Sequence, residues 1–384
     1  MSRKLVAAFL IFLVCSMSLV GCGSKDEGQP AQGADSKGDK IVVAIAAPMT
    51  GSCAQSGQDI ERGVRIAAER INKAGGIDGR EIDIVVEDDA SDPKQAAAVA
   101  NKLGNDASVL AVIGHYNSSC TLAGAPIYNR FGIVEMSPGS SAPAVSDAGP
   151  YTFRVIPTDA LQGEFVAKWM LEEGYDSVAI LYENSDYGLG LKDVVQKAFT
   201  AAGGQVVGIE TYYLGETKDF SSIITKIRAT SPEAVFVAGL YNEAALICKQ
   251  SKAVGWEPAF FGVDALYEES LINLGGLAVE NFRINAFFHP MVDDPLVKEF
   301  VTEYETLYNA IPGAYAWYGH DALVVIAEAM TNGALDREAI KDYLTTLKDV
   351  KGVTGSISFD ENGDVIKDPI KLVVKDGKFE LYTK

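Results

Sequence analysis

Histidine is nearly absent from this chain, three in 384 residues, and the shortage narrows the chemistry before any motif is read. His115, His289 and His320 lie far apart, and none has a second histidine or a cysteine at metal-ligand spacing. A nucleophile elbow is also missing, because Ser118, Ser119, Ser140 and Ser141 lack the Gly-x-Ser-x-Gly frame that exposes a reactive hydroxyl on a strained turn. Positive charge is scarce. Against 52 Asp and Glu there are 33 Lys and Arg, a net charge of −19, and no basic stripe that could neutralise nucleic-acid phosphates. Past the first twenty residues no run is long and apolar enough to span a bilayer. The fragment Asp360-x-Asn362-x-Asp364 begins like a calcium loop, but Val365 stands where glycine is needed and Lys371 where the bidentate Glu belongs. The run Glu87-Asp88-Asp89 with Asp92 reads as solvated carboxylates at a strand end and helix start. No metal, no cofactor and no catalytic residue is expected, and nucleic acid is excluded as a partner.

What is present begins with an export signal: Arg3 and Lys4, an apolar stretch from Leu5 to Val20, and small residues before Cys22. Leu19-Val20-Gly21-Cys22 resembles a bacterial lipobox, so residues 1–21 are expected to be removed and Cys22 to carry lipid. Residues 22–39 are almost devoid of apolar side chains and predict a flexible tether, about 20–25 Å across as a random coil. Of the five cysteines, Cys15 falls in the signal and Cys22 at the lipid site. Cys53 and Cys120 both follow strands of one sheet, a placement that permits a bridge, and Cys248 sits on a helix as an inert buried thiol.

From Lys40 onward, Val- and Ile-rich runs alternate with helical patterns: Ile41 to Ala47, Ile82 to Glu87, Val109 to Gly114 and Ile133 to Met136. That rhythm predicts a parallel sheet with crossover helices. Ile60, Val64, Ala67, Ala68 and Ile71 share one helical face, with Gly75 as the stop, and Asp92-Pro93 opens the next helix. A second series starts after Pro157, with a helix from Leu161 to Glu173 and strands at Ser177 to Tyr182, Gln205 to Thr211, Ala234 to Gly239 and Ala259 to Val263. Helices follow at Leu296 to Asn309, Ala316 to Thr331 and Arg337 to Leu347. The tail alternates at Val353 to Phe359, Val365 to Lys375 and Phe379 to Tyr382, around turns at Glu361-Asn362-Gly363 and Asp376-Gly377. The fold class is α/β, two similar lobes with parallel sheets.

Two polar turns, His115 to Ser119 and Ser137 to Pro143, each follow an apolar strand. In a parallel sheet, short hydroxyls and helix-initial N–H groups at such places can hold an anion. Ser118 can also cap the helix that runs toward Arg130, and Asp264 can cap the segment from Ala265 to Leu274.

Several stretches, in order and spacing, carry a resemblance: Gly75-Gly76-Ile77-Asp78-Gly79, Glu87 to Ala96, Val112-Ile113-Gly114-His115 with Ser118-Ser119, Ser137-Pro138, Asp186-Tyr187-Gly188, Lys218-Asp219-Phe220-Ser221 and Asp360 to Asp364. From Lys40 to its end the chain resembles the periplasmic substrate-binding proteins of branched-chain amino acid ABC transporters. The resemblance implies two Rossmann-like lobes joined by three hinge crossovers, residues 40–157 plus 286–368 and residues 158–285 plus 369–384, closing over a free amino acid. It implies that Ser118 and Ser141 give hydroxyls to the ligand carboxylate, and that Gly139 or Ser140 offers a carbonyl to the ammonium. Asp264 would be the acidic partner of that ammonium and Tyr187 an aromatic lid. A zwitterion taken from water needs both charges satisfied, which fits such a division of labour.

The chain departs from the family pattern where the side-chain pocket would be. Ser56 stands at a position often aromatic, Tyr116 at one usually aliphatic, and Leu240 where the family has a tyrosine, with Tyr241 adjacent. The family's disulfide partners fall on Ser91 and Asn117. Leu, Ile and Val are the first expectation for the ligand, with smaller, aromatic or amide-bearing ligands open. The expected function is a monomeric, lipid-anchored receptor that delivers an α-amino acid to an ABC permease. The alternative is an exported sensor for an amino acid, amide or aromatic acid that feeds a signalling partner.

Overall fold

The computed structural model describes residues 40–289 and 293–384; the expected signal peptide, Cys22 and the tether lie outside them. The first series of strands is β1 (Ile41–Ala47), β2 (Ile82–Asp88), β3 (Val109–Gly114), β4 (Val134–Ser137) and β5 (Thr152–Arg154), interleaved with helices α1 (Ala54–Lys73), α2 (Pro93–Asn105) and α3 (Ser118–Phe131). They form one parallel sheet in the order β2-β1-β3-β4-β5. β1 and β3 are apolar throughout and almost wholly buried, as strands covered on both faces must be, whereas β2, at the edge, is half-buried past Ile82 and carries Asp83, Glu87 and Asp88.

The second series runs α4 (Asp159–Glu172), β6 (Ser177–Glu183), α5 (Asp186–Ala201), β7 (Gln205–Tyr212), α6 (Ser221–Ala229), β8 (Ala234–Ala238), α7 (Tyr241–Ala253), β9 (Ala259–Gly262), α8 (Glu269–Gly275) and β10 (Arg283–Ala286). Its parallel strands lie in the order β7-β6-β8-β9-β10, the same arrangement as the first sheet one series later. The chain then supplies α9 (Pro295–Tyr308), α10 (Ala314–Thr331), α11 (Arg337–Thr345) and the short pair β11 (Val350–Gly352) and β12 (Gly355–Ile357). These three helices pack on α1 and on β3 and β4 of the first lobe. Finally β13 (Ile370–Lys375) and β14 (Lys378–Leu381) extend the second sheet antiparallel beside β10. The turn between them is Asp376-Gly377, both at positive φ as a two-residue hairpin requires. The chain therefore crosses between the sheets three times, after β5, after β10 and before β13.

Helix α10 reaches α1 so closely that only glycine fits: a Cβ on Gly63 would sit 1.9 Å from the Ala316 carbonyl oxygen, and one on Gly319 2.5 Å from that of Ile60. The structure corrects the tail. The strand expected over Val353 to Phe359 is broken, because Asp321 on α10 takes the N–H groups of Val353 and Thr354 and makes a corner there. The strand expected from Val365 begins only at Ile370; Lys367, upstream of it, reaches back to Thr354. β5 and β10 were not expected.

Candidate functional site

The carboxyl ends of both sets of parallel strands face one cavity of about 350 Å³. Its first wall comes from turns after β2, β3 and β4, with Ser91, Tyr116, Asn117, Ser118, Gly139 and Ser141. Its second wall comes from the ends of β6, β8 and β9, with Glu183, Tyr187, Leu240 and Ala265, and α10 adds Tyr315. In both lobes this is where strand order reverses, the position at which α/β sheets receive ligands. The walls touch across the cleft: the Asp186 N–H donates to Ser119 Oγ at 3.3 Å, and the Asn242 amide donates to the Ser52 carbonyl at 3.3 Å.

On the first wall the turn after β3 is held by buried groups. His115 is wholly buried, with Nδ1 2.6 Å from Asp89 and Nε2 3.3 Å from the Tyr128 hydroxyl, so it is a structural residue. Ser137 Oγ donates to the His115 carbonyl at 2.7 Å and accepts the Ser140 N–H at 2.9 Å, which ties the two polar turns together. Ser118 is the first residue of α3, not its cap, and its Oγ accepts the Ala142 N–H at 3.2 Å. The opening N–H groups of a helix have no intrahelical partner, so α3 offers an anion site beside that hydroxyl.

Ser140 is not on the cavity wall. Its hydroxyl is 2.7 Å from that of Thr121 and its carbonyl accepts from Arg154 at 3.2 Å, which leaves Gly139 as the one of the two that faces the cavity. Arg154, fully buried at the first crossover, also donates to the Ala142 carbonyl at 2.8 Å and to Asp364 at 2.6 Å. Asp364 therefore does more than turn a hairpin.

On the second wall, Tyr187 stands in the first turn of α5, buried, with its hydroxyl unpartnered. Leu240 precedes α7 and lines the cavity, whereas Tyr241 does not; it lies beside Glu268 and Ser56. Asp264 opens a short turn, Asp264–Leu266, behind the cavity wall at Ala265, and is 4% exposed. Neither of its carboxylate oxygens has a well-formed partner, and burial pushes its carboxyl up to about 7. Gln162 of α4 accepts the Asp264 N–H at 3.2 Å and donates to Asp159 at 3.2 Å. Asp159 is a second buried acid, raised well above the carboxylate range by burial and then by Asp264. Two buried acids meet here, and Arg154 is a cation that acts on Asp159. Asp159, Gln162, Arg154 and Glu183 were not anticipated; for Glu183 the available signal was an acid ending the apolar run Val178 to Tyr182.

Cys53 and Cys120 are free buried thiols, which corrects the bridge allowed above, and Cys248 is free and buried too. The sulfur of Cys53 instead faces the Asn117 amide at 3.8 Å and the Ser52 hydroxyl at 3.8 Å, while Cys120 is packed inside α3. Among the described residues no three His, Cys, Asp or Glu side chains converge on a metal position, and no helix is long and apolar enough to cross a membrane.

Two α/β lobes with the same strand order, three crossovers and a polar cavity between strand ends define a hinge-type solute-binding protein. A profile of the periplasmic binding protein family matches residues 40–378, and the chain belongs to that family, in the branch that serves branched-chain amino acid ABC transporters. It is 32% identical over 330 residues to the leucine-, isoleucine-, valine-, threonine- and alanine-binding protein of Pseudomonas aeruginosa, covering 85% of this chain and 87% of the relative. The leucine-binding protein LivK of Thermotoga maritima superimposes with a TM-score of 0.84 at 30% identity, over 89% of this chain and 98% of that one. The substrate-binding protein LivJ of Streptococcus pneumoniae, in complex with isoleucine, gives 0.83 at 28% identity over 89% and 98%. This is a family of binding proteins, and the chain is not an enzyme.

Proposed function

We propose that the chain is an exported lipoprotein, anchored through Cys22, that captures an α-amino acid between lobes 40–157 plus 286–368 and 158–285 plus 369–384 and delivers it to an ABC permease. Ser118, Ser141 and the first N–H groups of α3 hold the ligand carboxylate, the Gly139 carbonyl and Asp264 take its ammonium, Tyr187 covers it, and Tyr116 and Leu240 border its side chain. The observation that carries this reading is the buried carboxylate of Asp264, without a well-formed partner, in the lobe opposite the hydroxyl-bearing N-terminus of α3. A buried charge is costly without a counter-charge, and a zwitterion bridging the two walls supplies one to each. Because the groups come from different lobes, the ligand binds the closed form better than the open one, which is what couples binding to hinge motion.

The reading is tested by calorimetry with a bound amino acid, its decarboxylated amine and its deaminated acid. The zwitterion is expected to bind, and each analogue to lose about 2 kcal/mol or more, roughly 30-fold, because one set of buried groups is left unpaired. Equal affinity for the amine would remove the carboxylate site, and equal affinity for the acid would remove Asp264.

A pH dependence follows. With its carboxyl at about 7, Asp264 is largely protonated in mildly acidic solution and must lose that proton to receive an ammonium. Affinity is expected to fall below pH 7 by up to about tenfold per pH unit for each acid that must ionise. Calorimetry between pH 5 and 8 with a ligand whose own groups do not titrate there measures it; affinity independent of pH would show that Asp264 is not the partner.

A further inference from the structure

Part of the cavity lining is chemically unlike an aliphatic pocket. Glu183, the last residue of β6, lines it at 2% exposure; Oε1 accepts the Ser185 hydroxyl at 2.6 Å and Oε2 has no partner. Across the cleft, Asn117 turns its amide nitrogen to the Cys53 sulfur at 3.8 Å, which leaves Oδ1 as a buried acceptor without a donor. Ser91, whose Oγ is also buried and without a partner, lines the same cavity. Three residues from two lobes thus line the cavity with a buried oxygen that lacks a partner. Behind Glu183 stands another buried acid, Glu243, whose Oε1 is taken by the Gly215 N–H at 3.1 Å and whose Oε2 is free. Among the described residues no lysine, arginine or histidine lines the cavity.

Acceptors need donors. A leucine, isoleucine or valine side chain seated against Glu183 Oε2 and Asn117 Oδ1 would leave both in contact with hydrocarbon, whereas a terminal nitrogen carries N–H groups for both. The backbone groups of the ligand are engaged by Ser118, Ser141, Gly139 and Asp264 under the function proposed above, on which this step rests, so Glu183 Oε2 and Asn117 Oδ1 are left for its side chain. We propose that Glu183, with Asn117 and Ser91, selects an amino acid whose side chain ends in N–H donors, an amide or a cation, over an aliphatic one.

The test is calorimetry of the purified chain with L-glutamine, L-asparagine, L-lysine, L-arginine, L-leucine, L-isoleucine and L-valine, then with the Glu183→Gln and Glu183→Leu variants. At least one of the four nitrogen-bearing ligands is expected to bind tenfold or more tighter than every aliphatic one. Glu183→Leu is expected to erase that preference. Glu183→Gln, which keeps an acceptor and fits the same space, should retain an amide ligand within about tenfold and lose a cationic one, and so separates the two side-chain classes even if Glu183→Leu fails to fold. An aliphatic amino acid that binds as tightly as any of the four overturns the inference while leaving the function above intact. Binding of none of the seven overturns the inference, and the function above is then decided by the analogue series with whichever amino acid binds.

Discussion

Arg154→Met is expected to lower the free energy of unfolding by about 3–5 kcal/mol, the usual cost of removing one partner from a buried ion pair. Arg154 has no exposed surface, and its guanidinium bonds Asp364 at 2.6 Å, Ser146 Oγ at 2.6 Å and the carbonyls of Ser140 and Ala142. Methionine fills much of the volume but supplies no donor, so a buried carboxylate and two carbonyls lose their partner together. The same contacts hold the loop that carries Gly139 and Ser141 against the first crossover, so ligand affinity is expected to fall with stability. Urea unfolding measures the first effect. In the double variant Arg154→Met with Asp364→Leu most of the loss should return, because the stranded charge is gone while the lost packing is small. A single variant as stable as the parent would show that the pair contributes nothing.

Asp264→Ala is expected to act in the opposite sense on stability and to weaken amino-acid binding by about 2 kcal/mol or more, roughly 30-fold. Without ligand, the Asp264 carboxylate is buried, lacks well-formed partners and faces Asp159, so its removal relieves unfavourable charge. Its raised pKa, about 7 against an unfolded value near 4, means the native state holds more protons than the unfolded one in that interval. The parent should therefore lose stability as pH rises from about 4 to 7, and the variant should lose less. Thermal unfolding across that range, paired with calorimetry, separates the effects. An Asp264→Ala protein with unaltered affinity would exclude the residue from the ammonium site.

Strands that are apolar from end to end, such as Ile41–Ala47 and Val109–Gly114, were legible because burial on both faces leaves no other composition. β5 and β10 were not, since Arg154 and Asn285 interrupt the apolar signal; distant residues satisfy Arg154, and the Asn285 amide donates to Gln162. The partner of Arg154 is Asp364, 210 residues away. The same limit applies to the site. Ser118, Gly139 and Ser141 were accessible from their position after strands, and all three reach the cavity. Asp159 was not, because no local pattern separates an acid that ends up buried from one that caps a helix in water, and Glu183 had only its place at the end of the apolar run Val178 to Tyr182 as a signal. Gln162 gains its role by bridging Asp159 and Asp264, which only the folded chain brings together. Ser140 had the right neighbours for the cavity, but its turn is wound inward by Ser137 and Thr121.

The most direct measurement of the central claim is a crystal structure of the chain with its tightest-binding amino acid. The account expects the ligand carboxylate at the start of α3 within hydrogen-bonding distance of Ser118 or Ser141, and its ammonium within the same distance of Asp264. An ammonium directed away from Asp264, or a ligand bound outside the cavity between the two lobes, would contradict it.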